Sequence, residues 1–245
     1  MSVLSKNKEN IIDLLTPWLK DKLSCDEMKL ESLGVPETTG FSNETLSLKS
    51  FFTKGYRTYQ DAYVLRLKPT TFQVFPEYDL SKQVRIMKVL RKASLPVPEV
   101  LWEEENSNIL GTPFYVMRWV EGEAPSDNPP FHMDSESWMS KATPQQRIKV
   151  WWGWVDYMSK IHLLDINTND LSFLERSNIG KNPLDQDLSY YETFLSWSMQ
   201  GENHNTCDQV LAWLKMNKPT IHEPKTLCWG DCRCGNILYK KFIPK

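Results

Sequence analysis

Residues 229–236 read Trp-Gly-Asp-Cys-Arg-Cys-Gly-Asn, and this stretch bears most strongly on the fold. Short apolar runs at residues 227–229 and 237–239 flank it, which predicts a tight loop between two short strands. Such a loop would bring Asp231 and Asn236 to the rim of one pocket. An ordinary turn with a capping Asn is the alternative, because an Asp and an Asn at this spacing are common by chance.

The spacing from Asp231 to Asn236 is the one found in the catalytic loop of protein kinases. In that loop the Asp orients the attacking hydroxyl and the Asn holds magnesium. The pair therefore makes Asp231 a candidate catalytic residue and Asn236 a candidate metal ligand. The interpretation gains strength from the order of the weaker signals upstream.

A β-hairpin is predicted upstream from two stretches in which apolar and polar residues alternate. Its strands are residues 45–52 and 62–68, with a polar turn at residues 54–61. A turn-rich segment, residues 33–40, leads toward the first strand. Backbone N–H groups around a Gly-containing turn could lie over phosphates, and a simple turn is the alternative. The residues concerned are Gly40, Phe41, Ser42 and Asn43.

The second strand of this hairpin carries candidate nucleotide-binding residues on one face. Val64 and Arg66 share that face, so Val64 could cover an adenine ring while Arg66 meets phosphates. Lys68 lies on the same face and is the alternative cation. Each of these cations could instead be a solvated side chain at a strand end.

A helix over residues 79–92 follows, and residues 95–98, Leu-Pro-Val-Pro, end it. Strands are then predicted at residues 100–102 and 114–120. The second of these runs into a Gly turn, where the hinge of a kinase would lie. Backbone groups around Met117 and Trp119 could bind adenine there, although an ordinary core strand has the same pattern.

The rest of the chain is predicted to be largely helical. A long loop over residues 124–144 precedes helices at 145–163, 183–200 and 206–217. A further helix, residues 8–24, opens the chain and would be kinked or shortened at Pro17. A β-rich part followed by an α-rich part predicts an α+β protein with two lobes, residues 1–119 and 120–245.

Taken together, these features resemble the aminoglycoside phosphotransferase and choline-kinase-like superfamily. They are similar in particular to the branch of kinase domains that accompany acyl-CoA dehydrogenases. The similar segments cover nearly the whole chain: residues 40–45, 63–69, 95–101, 111–122, 127–130 and 227–236.

The resemblance implies a protein-kinase-like fold, ATP with Mg²⁺, and transfer of the γ-phosphoryl group to a hydroxyl of a small molecule. Carried over by position, Asp231 would be the base or orienting group and Asn236 a metal ligand. Arg66 would be the phosphate-side cation, and residues 40–43 the phosphate loop. The loop at residues 127–131, Trp138 and Trp197 would face the acceptor.

Three positions depart from the family's usual residues. Trp229 stands where the family has His, as it does in the similar branch. Arg66 stands where Lys is frequent, and it keeps the charge on a planar fork that suits phosphate oxygens. Gln83 stands where a Glu often pairs with that cation. It should point inward and bond to Arg66 more weakly than an ion pair would.

The end of the sequence also departs from the family. Nine residues follow Asn236, and none of them is Asp or Glu. Kinases use a second magnesium-binding Asp after the catalytic loop. We therefore expect a C-terminally truncated chain with an incomplete second lobe, exposed apolar helix faces and little or no phosphoryl transfer.

Composition narrows the partners and the location. The 29 basic and 31 acidic residues give a net charge of −2, which does not favour nucleic acid or an anionic membrane. No run approaches the ~18 apolar residues of a membrane span, and the polar start is unlike a signal peptide. The five cysteines fit a reduced, cytoplasmic protein. Three of them, Cys228, Cys232 and Cys234, lack the spacing of a structural zinc site.

The sequence thus favours an ATP-dependent phosphotransferase acting on a small hydroxylated molecule. A non-catalytic, nucleotide-binding pseudokinase or regulatory fragment is the alternative, and a degenerate product without a stable fold is a third. The acceptor and the oligomeric state stay open.

Overall fold

A computed structural model describes residues 3–34, 44–70, 73–219 and 224–245 of the chain. Its main feature is a five-stranded antiparallel sheet in the order β1-β2-β3-β5-β4. The strands are β1 (Glu27–Gly34), β2 (Glu44–Lys54), β3 (Arg57–Leu67), β4 (Val100–Glu104) and β5 (Phe114–Arg118).

One face of the sheet is covered by helix α1 (Val3–Leu23). Alternate residues of β3 point to this face, so that Tyr63, Leu65 and Leu67 are all buried in one core with Leu15 of the helix. Pro17 was expected to kink or shorten this helix, and α1 is not shortened there but continues for another six residues. The core contacts on both sides of the proline outweigh its intrinsic cost to the helix.

The other face carries helix α2 (Leu80–Lys92), which begins where the Asp79 side chain accepts a hydrogen bond from the Lys82 N–H at 2.8 Å. Leu80 and Val84 of α2 pack on Tyr115 of β5. The predicted division of β3 into two faces is therefore confirmed. Its consequence is that Val64 and Arg66 lie on the face opposite α1.

Two details of the β region differ from the sequence prediction. The hairpin turn is only Gly55 and Tyr56, because Lys54 already pairs with Arg57 and Gly55 adopts a φ of +57°. The first half of β3 is solvent-exposed and polar, which made it look like a turn. The strand β1, which the sequence prediction missed, pairs with β2 along its length and ends at Gly34.

The second part of the chain contains helices α3 (Pro144–His162), α4 (Pro183–Met199) and α5 (Asn205–Met216), each within about two residues of its predicted bounds. A capping box begins α3, in which Thr143 and Gln146 bond to each other's backbone N–H. A short hairpin follows, of β6 (Tyr239–Lys240) and β7 (Ile243–Pro244). Residues 227–229, predicted as a strand, are irregular.

The inward face of α3 is also displaced from the prediction. The helical spacing of Trp151, Val155, Met158 and His162 predicts a buried face. In the structure Trp151 is 55% exposed, and the buried residues of α3 are Val150 and Ile161. Ile161 joins a cluster with Leu90 and Leu95, which connects α3 to α2. This cluster holds the helical part against the sheet.

Apolar side chains are exposed on the outer helices, as the sequence led us to expect. Those of α3 and α5 that are more than half exposed are Ile148, Trp151, Trp152, Val210, Trp213 and Met216. None of the helices within the described ranges is long and apolar enough to span a bilayer.

A test of the α1 contact is the pair Leu15→Ala and Leu14→Ala. Leu15 is fully buried, so its truncation should cost about 2–5 kcal/mol of unfolding free energy. The neighbouring Leu14 is 44% exposed, and its truncation should cost less than about 1 kcal/mol. Denaturant unfolding measures both, and equal losses would show that α1 does not pack as described.

Candidate active site

A cleft of about 920 Å³ lies between the sheet and the second part of the chain. Its walls bring together five of the residues singled out by sequence: Val64, Arg66, Met117, Trp119 and Asn236. The first four come from β3 and the end of β5, and Asn236 comes from the opposite wall.

Asn236, which lines this cleft, is hydrogen-bonded to Asp231, which is not among the lining residues. The Asn236 Nδ2 group donates to the Asp231 main-chain oxygen at 2.8 Å and to its carboxylate Oδ2 at 2.9 Å. Both acceptors require the amide nitrogen on that side, so the Asn236 Oδ1 atom points away from Asp231. That oxygen is the type of ligand that magnesium prefers. The Asp231 side chain remains 72% exposed and open to a reactant.

Arg233 braces the same loop between two carboxylates. Its Nη1 lies 3.0 Å from Oδ2 of Asp127, and its Nε lies 3.3 Å from Oδ1 of Asp231. Asp127 belongs to the loop that leads from the sheet toward α3. The ion pairs therefore tie the position of Asp231 to that loop.

Gly235 lets the Asp127 carboxylate approach the loop closely. A Cβ atom at this position would lie 2.7 Å from the Asp127 Cγ, closer than side-chain atoms normally come. Burial, and then the charge of Asp127, raise the pKa of the neighbouring Cys234 thiol above its ordinary value. Asp127 thus both packs against the loop and acts on it electrostatically.

Arg66 faces the cleft from the sheet. Its Nε atom is buried and has no hydrogen-bond partner among the described residues. A buried guanidinium nitrogen without a partner suits an anionic ligand oxygen, as phosphate would supply. Lys68, the alternative cation, lines a separate depression beside Glu77 and Asp79. The geometry therefore favours Arg66 as the residue that faces a ligand in the cleft.

A relay through Tyr115 connects Arg66 to α2. The Tyr115 hydroxyl donates to Oε1 of Gln83 at 3.3 Å, so Gln83 points inward as predicted. Arg66 is the cross-strand neighbour of Tyr115. Burial raises the pKa of Tyr115, and the Arg66 charge acts to lower it. The place of the usual Glu is thus taken by an amide that reaches Tyr115.

The predicted hinge needs a correction in its backbone. The N–H of Arg118 donates to the Glu99 oxygen at 2.9 Å, and the N–H of Trp119 donates to the Ala62 oxygen at 3.1 Å. These two donors already have partners within the sheet, so they are not available to adenine. Met117 and Trp119 nevertheless line the cleft.

The remaining predicted site residues have different outcomes. Gly40, Phe41, Ser42 and Asn43 lie outside the described residues. Of the two tryptophans expected at the acceptor site, Trp138 lines the cleft, whereas Trp197 packs on Phe194 of α4.

The sequence reasoning did not find several contacts that hold the loop. His162, the last residue of α3, accepts a hydrogen bond at Nε2 from the Trp229 N–H at 3.2 Å. The Trp154 indole donates to the Cys232 sulfur at 3.1 Å. Among the segments that contact the loop, only the one that contains Asp127 was singled out from the sequence, as part of the family resemblance.

The described part of the chain contains no group of three His, Cys, Asp or Glu side chains arranged to hold a metal. Within that part, a magnesium ion would rely on the Asn236 oxygen and on oxygens of its own ligand. The cysteines near the loop form no zinc site there, and Cys228 is exposed.

Comparison with known proteins identifies the family. The profile of the phosphotransferase enzyme family, APH, matches residues 39–242. The chain belongs to this family. The match includes the sheet from β2 onward and the whole loop of Asp231 and Asn236.

Two mammalian relatives of this APH chain carry the name of acyl-CoA dehydrogenases. Acyl-CoA dehydrogenase family member 11 of Rattus norvegicus is 28% identical over an alignment of 206 residues, and the match covers 82% of this chain and 23% of that protein. Family member 10 of Mus musculus is 26% identical over 177 residues, 72% of this chain and 15% of that protein. The chain thus spans less than a quarter of either relative, and its resemblance to this branch is confirmed.

A solved structure supports the fold. A Ralstonia eutropha JMP134 protein assigned as an aminoglycoside phosphotransferase superposes with a TM-score of 0.59 at 19% identity. The match covers 93% of this chain and 60% of that one. The two-lobed, protein-kinase-like α+β architecture expected from the sequence is therefore present.

The contact of Gly235 with Asp127 can be tested by Gly235→Ala. The added methyl group should displace the Asp127 carboxylate and cost about 1–3 kcal/mol of unfolding free energy. Because Asp127 is the group it meets, the cost should fall sharply in an Asp127→Ala background. Denaturant unfolding of the two single variants and the double variant measures this coupling. Additive costs would contradict the contact.

Proposed function

We propose that this chain is the core of an ATP-dependent phosphotransferase, which moves the γ-phosphoryl group to a hydroxyl of a small molecule. The main support is the cleft, which has Arg66 on one wall and Asn236 on the other. Asn236 is hydrogen-bonded to Asp231. In this proposal residues 1–119 bind the nucleotide and residues 120–245 supply the catalytic loop. Membership of the phosphotransferase family supports this assignment.

Each residue of the cleft has a definite task in this reaction. Arg66 binds phosphate oxygens through a guanidinium whose buried Nε has no hydrogen-bond partner among the described residues. Val64, Met117 and Trp119 form the apolar surface for the adenine. Asp231 takes the proton from the hydroxyl group of the small molecule. The hydroxyl oxygen bonds to the γ-phosphorus, while the bond from the γ-phosphorus to the β-phosphate oxygen breaks and ADP leaves. Magnesium, held through the Asn236 oxygen, would neutralise the charge that develops on the phosphates.

Arg233 positions Asp231 for this step rather than reacting itself. It fixes one carboxylate oxygen, Oδ1, while Asn236 fixes the other. A carboxylate held at both oxygens presents a defined direction to the acceptor hydroxyl. The acceptor class that this cleft supports is a small hydroxylated metabolite.

A nucleotide-binding protein without catalysis is the second candidate. The two functions share the nucleotide site and differ only in turnover.

The nucleotide site can be tested by thermal unfolding with and without MgATP. At a concentration about 100-fold above its Kd, ATP should stabilise the chain by about 2.7 kcal/mol, a rise of about 5–10 °C in the midpoint. Arg66→Met should abolish most of the rise, since it removes the phosphate contact. Asp231→Asn should keep it.

Lys68→Met is the matched control, because Lys68 lines a different depression and its loss should leave the ATP response intact. A wild-type chain whose midpoint does not move with MgATP would remove the proposal. Equal losses in the Arg66 and Lys68 variants would mean that general charge, not the cleft, attracts the nucleotide.

The turnover of a polypeptide of these 245 residues is a separate measurement. We expect it to transfer phosphate far more slowly than the roughly 1–100 per second of kinases, because one metal carboxylate is absent from residues 237–245. Radiolabelled ATP with a panel of hydroxylated acceptors measures the rate. Transfer at ordinary kinase rates would show that another group replaces the missing carboxylate.

A further inference from the structure

Thr45 is an unexplained polar residue on the cleft side of β2. Its neighbours Leu46 and Leu48 are fully buried on the α1 side, so Thr45 lies on the opposite face. It is only 4% exposed and forms part of the cleft wall. Its side chain thus ends at the cleft, although most of its surface is covered.

The Thr45 hydroxyl is buried without a hydrogen-bond partner among the described residues. Leaving a hydroxyl in this state costs free energy that a Val of the same shape would avoid. Val is also at least as favourable in a strand, because both side chains are β-branched. Neither the packing nor the strand therefore explains a Thr at this position.

The second unpartnered atom lies directly beside it. Thr45 is the cross-strand neighbour of Arg66, whose buried Nε also has no partner within the described ranges. The same register continues to Tyr115 on the next strand. Two unsatisfied donors on adjacent strands, both facing the cleft, can meet one acceptor oxygen. Such pairs of orphaned donors are expected where a ligand completes the hydrogen bonding.

We propose that Thr45 is a phosphate-binding residue, which donates its O–H to a nucleotide phosphate oxygen next to the contact made by Arg66. This proposal rests on the proposed function and adds a residue to it. The hydroxyl discriminates a phosphorylated nucleotide from a nucleoside, because only the former brings an oxygen to this part of the cleft. Arg66 supplies the charge, and Thr45 supplies a short, rigid donor whose direction the strand fixes.

The test compares Thr45→Val with Thr112→Val. Thr112 is also buried, at 6% exposure, but its hydroxyl donates to the Lys68 oxygen at 3.0 Å. Thr45→Val removes an unsatisfied group and should raise the ligand-free midpoint by about 2–4 °C. Thr112→Val breaks a hydrogen bond and should lower it by about the same amount. The same Thr-to-Val substitution should thus raise the unfolding midpoint at position 45 and lower it at position 112.

Affinity gives the second readout. Thr45→Val should weaken MgATP binding about tenfold, the loss expected for a hydrogen bond to a charged group, and leave adenosine binding unchanged. Thr45→Ser keeps the hydroxyl and should keep most of the ATP affinity. Thr112→Val should bind ATP as the wild type does. Titration of the midpoint with each ligand yields these affinities.

Three results would overturn the proposal, and they differ from one another. Unchanged ATP affinity in Thr45→Val would show that the hydroxyl meets only water. An equal loss for adenosine and ATP would show that the substitution changes the shape of the cleft. A wild-type chain that does not bind ATP at all would remove the proposed function itself.

Discussion

The alternation of β3 is the constraint on which the rest of the molecule depends. Tyr63, Leu65 and Leu67 must be buried against α1, and this places Val64 and Arg66 on the other face. A slip of one residue in the register would turn every side chain over, burying Arg66 in the apolar core and exposing three large residues. The cation of the cleft is therefore positioned by hydrophobic burial on the far side of its own strand. Its placement is as secure as that core, and it needs no partner of opposite charge to hold it there.

The opposite wall is built in a different way. Asp231 lies in a loop with little regular structure, and its position depends on polar contacts: Asn236 at one carboxylate oxygen and Arg233 at the other. Arg233 is held in turn by Asp127, and the close approach of Asp127 requires a glycine at position 235. These partners are partly exposed, so each ion pair contributes little to stability. Their combined effect is to give a solvent-accessible carboxylate one orientation.

The sequence predicted those parts of the molecule that depend on local patterns. Alternation predicted the face of β3 on which Arg66 lies, and the helical repeat predicted the bounds of α2 to within a residue. Prediction failed where the pattern was ambiguous. Helix α3 carries apolar residues on several sides, among them Val150, Trp151 and Trp154, so periodicity could not select its inward face. The loop contacts could not be predicted either, because His162 and Trp229 are 67 residues apart and no local sequence pattern indicates that they meet. The unpartnered hydroxyl of Thr45 is visible only when its surroundings are known.

The two walls meet through an apolar joint. Leu90 of α2, Leu95 beyond it and Ile161 of α3 form one cluster, and Trp229 packs against it. Trp229 immediately precedes Gly230 and Asp231, so the contact that holds the helical part against the sheet also sets where the loop of Asp231 begins. Because a packed apolar cluster has few alternative arrangements, the distance between Arg66 and Asp231 is fixed by burial rather than by attraction across the cleft. The Arg66 Nε, which has no hydrogen-bond partner among the described residues, is consequently left available for a ligand oxygen.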